Sequence, residues 1–158
     1  MNHIYPIADH VDAWPAFTTL TSSDVVVAAV SLTRLVEWCG TPCVHTADAA
    51  AVDGGDRSAE AQSASVVVTR VLAVEWRSDL RLHVAIDADL STSSPAMTES
   101  RIIGREAGPS MASVTLEAHG PTGLGFATEL PALIAVGDLI AIPCRGIARL
   151  HDLKVVSR

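Results

Sequence analysis

Alternation of apolar and polar side chains is the feature that most constrains the fold of this chain. In residues 80–90 (LRLHVAIDADL), every second residue is apolar and those between them are mostly polar. A period of two is that of a strand with one buried face. Ser78 and Asp79 come just before this segment, so residues 66–77 and 80–90 are predicted to form an antiparallel hairpin.

Further short segments follow, separated by turn signals about every 8–12 residues. Turns are indicated by Gly108-Pro109, Gly120-Pro121 and Gly137-Asp138. The remaining candidate strands are 101–105, 113–119, 124–128, 139–144 and 148–156. This pattern predicts an all-β fold, or a β-rich fold with a short helix, as a single small barrel or sandwich of about 6–8 mostly antiparallel strands.

The segment 25–38 (VVVAAVSLTRLVEW) fits either a strand or a helix. Asp24 could cap a helix and Gly40 could end one, whereas the valines favour a strand. The tripeptide Val-Glu-Trp occurs at 36–38 and again at 74–76, after a valine run in both cases. We therefore predict strands at both places, related by a degenerate duplication or by similar packing needs.

Length and composition indicate one domain over residues 1–158. A chain of 158 residues with 49% hydrophobic residues can bury a core without disulfides or metal. Residues 1–20 have no period and are predicted to be an irregular lead-in, docked by Trp14 and Phe17. Residues 46–63 are small, polar and glycine-containing, which predicts an exposed loop with few apolar groups to hold it in place.

Charge and cysteine content restrict the partners and the compartment. The net charge is −7, with 18 acidic and 11 basic residues, and such a chain does not attract nucleic acid over distance. The apolar runs are shorter than the roughly 20 residues that cross a bilayer. An odd number of cysteines, 3, fits a reducing compartment. We expect a soluble, cytoplasmic protein with no nucleic-acid or membrane partner.

The segment 39–45 (CGTPCVH) holds the one cluster with metal-binding chemistry. Cys39, Cys43 and His45 offer two thiols and an imidazole on a turn set by glycine and proline. Zinc takes thiolate and imidazole ligands in a tetrahedral array. A zinc site at these three residues is therefore one hypothesis. The alternative is structural, with Cys39 as a small buried residue at the end of a strand.

Catalytic motifs are absent from the sequence. It holds no Gly-x-Ser-x-Gly, no phosphate loop ending in Gly-Lys and no Gly-x-Gly-x-x-Gly. An enzyme would have to assemble its site from scattered residues such as His83, Asp87 and His119.

The segment 38–43 (WCGTPC) is similar to the Cys-Cys-Gly-x-Pro-Phe signature of a group of small actinobacterial proteins of unknown function. In that group the signature is followed by a polar linker, a strand like 66–77 and a closing strand like 137–144. Trp38 stands where the first cysteine would be, and Cys43 replaces the phenylalanine. The group has no assigned activity, so the resemblance implies an order of strands and no function.

We therefore expect a non-catalytic binding or interaction module that associates with a protein partner or with itself. Valine-rich edge strands need covering, and self-association is one way to cover them. The alternatives are the zinc-binding protein and the enzyme described above.

Overall fold

The computed structural model describes residues 13–49, 63–118 and 125–154. A mixed sheet of eight strands curls into a half-barrel, and a second sheet of three antiparallel strands lies beside it. The described part also contains two short helices, α1 and α2, and a 3₁₀ turn. The prediction of a β-rich fold with a short helix is confirmed.

The first sheet consists of β1 Thr18–Leu20, β2 Val25–Val27 and β3 Val30–Ser31. The half-barrel consists of β4 Cys43–Asp48, β5 Ser63–Trp76, β6 Leu82–Ile86, β7 Ser94–Pro95, β8 Arg101–Ile103, β9 Met111–Ala118, β10 Gly125–Pro131 and β11 Leu139–Arg145. The helices are α1 Leu32–Cys39 and α2 Leu150–Leu153, and the 3₁₀ turn is Met97–Glu99.

The half-barrel follows the order β10-β9-β6-β5-β11-β7, with β4 added to β5 and β8 added to β11. Strand β6 pairs with β9 in parallel, and the other described pairs are antiparallel. The predicted hairpin is present, because Val74 of β5 lies opposite Val84 of β6. Leu82, Val84 and Ile86 are all buried, as the alternation predicts.

Strand β5 organises the half-barrel because it is long and changes partners along its length. Its first half has β11 on one edge and β4 on the other. Val71 N–H donates to Asp138 O, whereas Asp87 N–H donates to Arg70 O. Neighbouring residues of a strand direct their backbone groups to opposite edges. Strand β6 therefore pairs with the same edge of β5 as β4 does, farther along β5.

The core lies on both faces of this sheet. Val67 and Val71 pack with Ile86, Leu116 and Ile140 inside the half-barrel. On the other face, Val66 and Val68 pack with residues of β2, α1 and the segment before β1. These residues include Trp14, Val25, Leu32 and Val36. A strand buried on both faces reads as a continuous apolar run, which explains the valines of β5.

The strand predicted for 25–38 is correct only for β2 and β3, and wrong for residues 32–38, which belong to α1. Ser31 begins the helix, because its side-chain oxygen accepts from Arg34 N–H. Leu32 and Val36 are buried one turn apart, and Gly40, with φ 72°, ends the helix. The burial of one helical face outweighs the modest helix propensity of valine.

Two boundary predictions also need correction. Residues 46–48 belong to β4 and pair with β5, so the loop predicted for 46–63 is wrong there, and residues 50–62 lie outside the described residues. The lead-in predicted for 1–20 is wrong for β1, and residues 1–12 lie outside the described residues. Trp14 is buried as expected, whereas Phe17 is 87% exposed. The strand predicted for 148–156 contains α2 instead.

In the part of the chain that the structure describes, none of the helices has the length and apolar character that crossing a membrane requires.

Candidate functional site

The turn between α1 and β4 carries the cysteines singled out in the sequence. Cys39 is the last residue of α1 and is exposed, so it is not the small buried residue of the structural alternative. Cys43 is the first residue of β4 and is 3% exposed. His45 follows two residues later, and alternation along a strand turns it to the face of Cys43.

Asp87 ties this turn to the centre of the half-barrel. Its carboxylate accepts from Thr41 Oγ1 at 2.5 Å, from Thr69 Oγ1 at 2.7 Å and from Arg70 N–H at 2.9 Å. These three bonds close the junction where the start of β4 and the end of β6 meet along the same edge of β5. The Asp87 carboxylate is therefore a structural hydrogen-bond acceptor. Its partners are Thr41, Thr69 and Arg70, and not His83, with which the sequence analysis grouped it as a catalytic residue.

The electrostatics of Cys43 bear on the predicted zinc site. Burial, assisted by Cys39 and Asp87, raises the pKa of the Cys43 thiol to about 11. His45 Nε2 is buried and has no hydrogen-bond partner among the described residues. Across residues 13–49, 63–118 and 125–154, no three His, Cys, Asp or Glu side chains are grouped so as to hold a metal ion. Zinc binding by Cys39, Cys43 and His45 stays a prediction.

A network of charged side chains covers the outer face of β5, β6 and β9. His83 Nδ1 lies 2.8 Å from Glu117 Oε1, and His83 Nε2 lies 2.8 Å from Asp79 Oδ2. Arg77 Nη1 lies 3.4 Å from Glu117 Oε1, and Arg77 Nε lies 3.6 Å from Glu75 Oε2. The His83 side chain is only 11% exposed. The imidazole thus lies between two carboxylates and can donate to both when it is protonated.

Arg81 completes what we call the His83 cluster. Its guanidinium bonds Thr115 Oγ1 at 3.0 Å and Val114 O at 2.8 Å, which holds it against β9. The members of the His83 cluster are Glu75, Arg77, Asp79, Arg81, His83 and Glu117.

The two carboxylates and the imidazole shift each other's protonation. The bonds to Glu117 and then to Asp79 raise the pKa of His83 above its usual value. The bond from His83, followed by that from Arg81 N–H, lowers the pKa of Asp79. The structure gives His83 and Asp87 separate partners, and His119 lies outside the described residues. The scattered catalytic set proposed from the sequence therefore gains no support from hydrogen bonding.

The second half of β5 has one edge with which no other described strand pairs; we call it the β5 edge and define it as residues 72–76. Gly137 N–H donates to Val71 O, and this is where pairing on the β11 side stops. Among the described residues, residues 72–76 pair only with β6. Leu72 is 41% exposed and Trp76 is 61% exposed, while Val74 is half-buried. Val136, next to Gly137, adds another exposed apolar side chain.

A cavity of 640 Å³ lies between the β1–β2 turn, the 3₁₀ turn and β8. Its lining mixes Arg101 and Glu106 with apolar Ile102 and Met111. Arg101 Nη2 donates to Thr21 O across it. The cavity has the volume of a small-molecule site. None of the metal-binding or catalytic residues predicted from the sequence lines it.

No protein-family model matches the sequence, and no curated protein matches it. Two solved structures of the arginine decarboxylase of Paramecium bursaria Chlorella virus, one bound to agmatine, are similar to part of the chain. The TM-score is 0.42 and the sequence identity 15%, over 60% of this chain and 29% of the decarboxylase. The chain thus spans less than a third of the length of those proteins, and at this TM-score the similarity indicates no function.

Proposed function

We propose that the protein is an interaction module that pairs with a second copy of itself through the β5 edge. One observation carries the proposal: residues 72–76 have a strand on one side only among the described residues, and both Leu72 and Trp76 are exposed there. An apolar edge strand is a template for pairing, and monomeric proteins usually shield such edges. Pairing through an edge supplies backbone hydrogen bonds, and apolar side chains add burial.

The residues of the β5 edge favour a second copy as the occupant. In an antiparallel pair with its two-fold axis at Val74, residues 72–76 of the two copies face each other, and Leu72 of each copy lies opposite Trp76 of the other. An axis one residue later would bring the two Glu75 carboxylates directly opposite each other, which is unfavourable. Leu72 and Trp76 are 41% and 61% exposed, so a second copy can bury both. These cross-strand apolar pairs select the register and add burial.

The test measures native mass as a function of concentration for the wild-type chain, Trp76→Glu and Trp38→Glu. The wild type should move from 16.5 kDa to about 33 kDa as concentration rises. Trp76→Glu should raise the dissociation constant about thirtyfold or more, because a buried tryptophan anchor typically contributes about 2 kcal/mol.

Trp38→Glu is the matched control, since Trp38 is 76% exposed and lies on α1, whose main contacts are with β2, β3 and β4. It should leave the dissociation constant within about twofold of the wild type. A wild-type chain that stays at 16.5 kDa throughout, or equal effects of the two substitutions, would overturn the proposal.

Zinc binding by Cys39, Cys43 and His45 is the second candidate. The observation that favours it is the buried Nε2 of His45, which no described residue hydrogen-bonds. Zinc would bind Cys43 as a thiolate, against the raised pKa of that thiol, so a bound ion would release protons. Elemental analysis of reduced, untagged protein should find about one zinc per chain, lost in Cys43→Ser. Protein without zinc, kept reduced and away from chelators, would contradict this candidate.

A further inference from the structure

We propose that the His83 cluster makes self-association through the β5 edge pH-dependent, with protonated His83 favouring the dimer. This inference rests on the proposed function, because it concerns how that same edge is regulated. It follows from the position of the cluster: Glu75 belongs both to the His83 cluster and to the β5 edge, and Arg77 directly follows that edge.

Register places His83 directly beside the pairing strand. Glu75 of β5 lies opposite His83 of β6, and His83 lies opposite Thr115 of β9. The three strands therefore carry the cluster in one row across the outer face. A change in charge at His83 reaches the β5 edge through Arg77, whose Nη1 lies 3.1 Å from His83 Nδ1.

The balance of charge depends on the imidazole. The groups that face it are Glu75 from β5, Glu117 from β9, and Arg77, Asp79 and Arg81 from the turn between β5 and β6. When His83 is protonated, its charge and the two guanidinium groups balance the three carboxylates. When His83 is neutral, one carboxylate is in excess, and one ring nitrogen faces a carboxylate without a proton to donate.

Arg77 connects this excess charge to the interface. It already lies near both Glu117 and Glu75 of its own chain. Loss of the His83 proton leaves Arg77 as the remaining cation beside Glu117 among the cluster members and strengthens that pair at the expense of the pair with Glu75, so the Glu75 carboxylate in the β5 edge is less well compensated. Two clusters with excess negative charge also repel each other across the two-fold axis. Dimerisation therefore raises the proton affinity of His83, and the dimer weakens as pH rises.

The experiment measures the dissociation constant at pH 6 and pH 8.5, at one low ionic strength, for the wild type, His83→Gln and His151→Gln. The wild-type constant should rise by up to about tenfold per pH unit for each His83 in the window where the imidazole loses its proton. Glutamine can bond the carboxylates but does not titrate, so His83→Gln should show the same constant at both values. His151 is exposed on α2, and His151→Gln should behave like the wild type.

The outcomes separate the two proposals. A dimer whose constant is the same at both pH values, or an unchanged pH dependence in His83→Gln, overturns the role of His83 and leaves self-association intact. The absence of a dimer at both pH values overturns both. If His83→Gln fails to fold, the ring resonances of His83 in the wild type give a second measurement: the pKa of His83 should be higher above the dimer dissociation constant than below it, and equal values overturn the inference.

Discussion

The tripeptide Val-Glu-Trp occurs twice in this chain, once in α1 and once in β5. In α1, Val36 is 6% exposed and packs into the core, while Trp38 is 76% exposed. In β5, Val74 is half-buried and Trp76 is 61% exposed at an open edge. The same three residues thus form the end of a helix in one place and the end of a strand in the other.

The surroundings of each copy account for the difference. Ser31 caps the helix, Leu32 lies one turn before Val36 on the buried face, and Gly40 ends the helix. For the tripeptide in β5, the turn after Trp76 leads the chain back as β6, so that Glu75 lies opposite His83 and gains a cross-strand partner. A tripeptide has little preference of its own, and the partners that neighbouring residues bring decide its conformation.

The largest expected effect concerns thiol reactivity just after the helical copy. Cys39 is exposed, whereas Cys43 and Cys144 are buried and their pKa values are raised to about 11. At neutral pH, Cys43 should carry about a hundredfold less thiolate than a thiol at the ordinary 9.0. Alkylation followed by mass spectrometry should label Cys39 first, because it is the exposed thiol. Equal labelling of Cys39 and Cys43 would contradict a helix that ends at an exposed Cys39.

A change from valine to threonine should separate the two copies by stability. Val36→Thr buries a hydroxyl in the core and should lower the free energy of unfolding by about 2 kcal/mol. Val74→Thr places the hydroxyl at a half-buried strand edge, where threonine is well tolerated, and should cost less than about 0.5 kcal/mol. Denaturant unfolding below the dimer dissociation constant measures both. Equal costs would contradict the difference in burial.

Removing the helix cap should affect only the helical copy. The Ser31 side chain accepts from Arg34 N–H and bonds the Asp24 carboxylate, so Ser31→Ala should lower the free energy of unfolding by about 1 kcal/mol. Ser78→Ala, in the exposed turn after Trp76, serves as the control and should change the free energy of unfolding by less than about 0.5 kcal/mol. A cost at Ser78 equal to that at Ser31 would show that capping does not distinguish the copies.

The smallest expected effect is the pH dependence of stability that comes from the pairing of His83 with Glu117 and Asp79, next to the Val-Glu-Trp tripeptide in β5. Because the pKa of His83 is raised, the stabilisation of the folded state by protonated His83 is complete below about pH 6.5 and is lost as pH rises through the raised pKa. The lowered pKa of Asp79 means that its contribution is present above about pH 4 and is lost as pH falls through the lowered value. Unfolding midpoints of monomeric wild type should thus be highest between these limits. His83→Gln should remove the decline on the alkaline side, and its persistence would contradict the pairing.

Part of the fold could be predicted because its signals are local. Leu82, Val84 and Ile86 alternate with polar residues, and the hairpin that they form with β5 follows from that period and from the turn before it. Helix α1 could not be predicted from side-chain periodicity and turn residues alone. Its signals, a capping serine and one buried face, lie in the same segment as a run of valines that favours strands.

The candidate sites were less accessible to sequence reasoning. Cys39, Cys43 and His45 stood out because they are close in the chain. His83 and Glu117 are 34 residues apart, and their meeting depends on the parallel pairing of β6 with β9. The β5 edge has no signal in the sequence at all, since it exists only because β11 stops pairing at the level of Val71.

The sequence by itself determined that this chain builds strands with one apolar face, and where several of them turn, because side-chain alternation and turn residues act over a few residues. Only the tertiary structure decided which strands are neighbours, which edge stays open and which charges meet. Those features depend on contacts between residues far apart in the chain, whose pairing is set by the packing of the whole core.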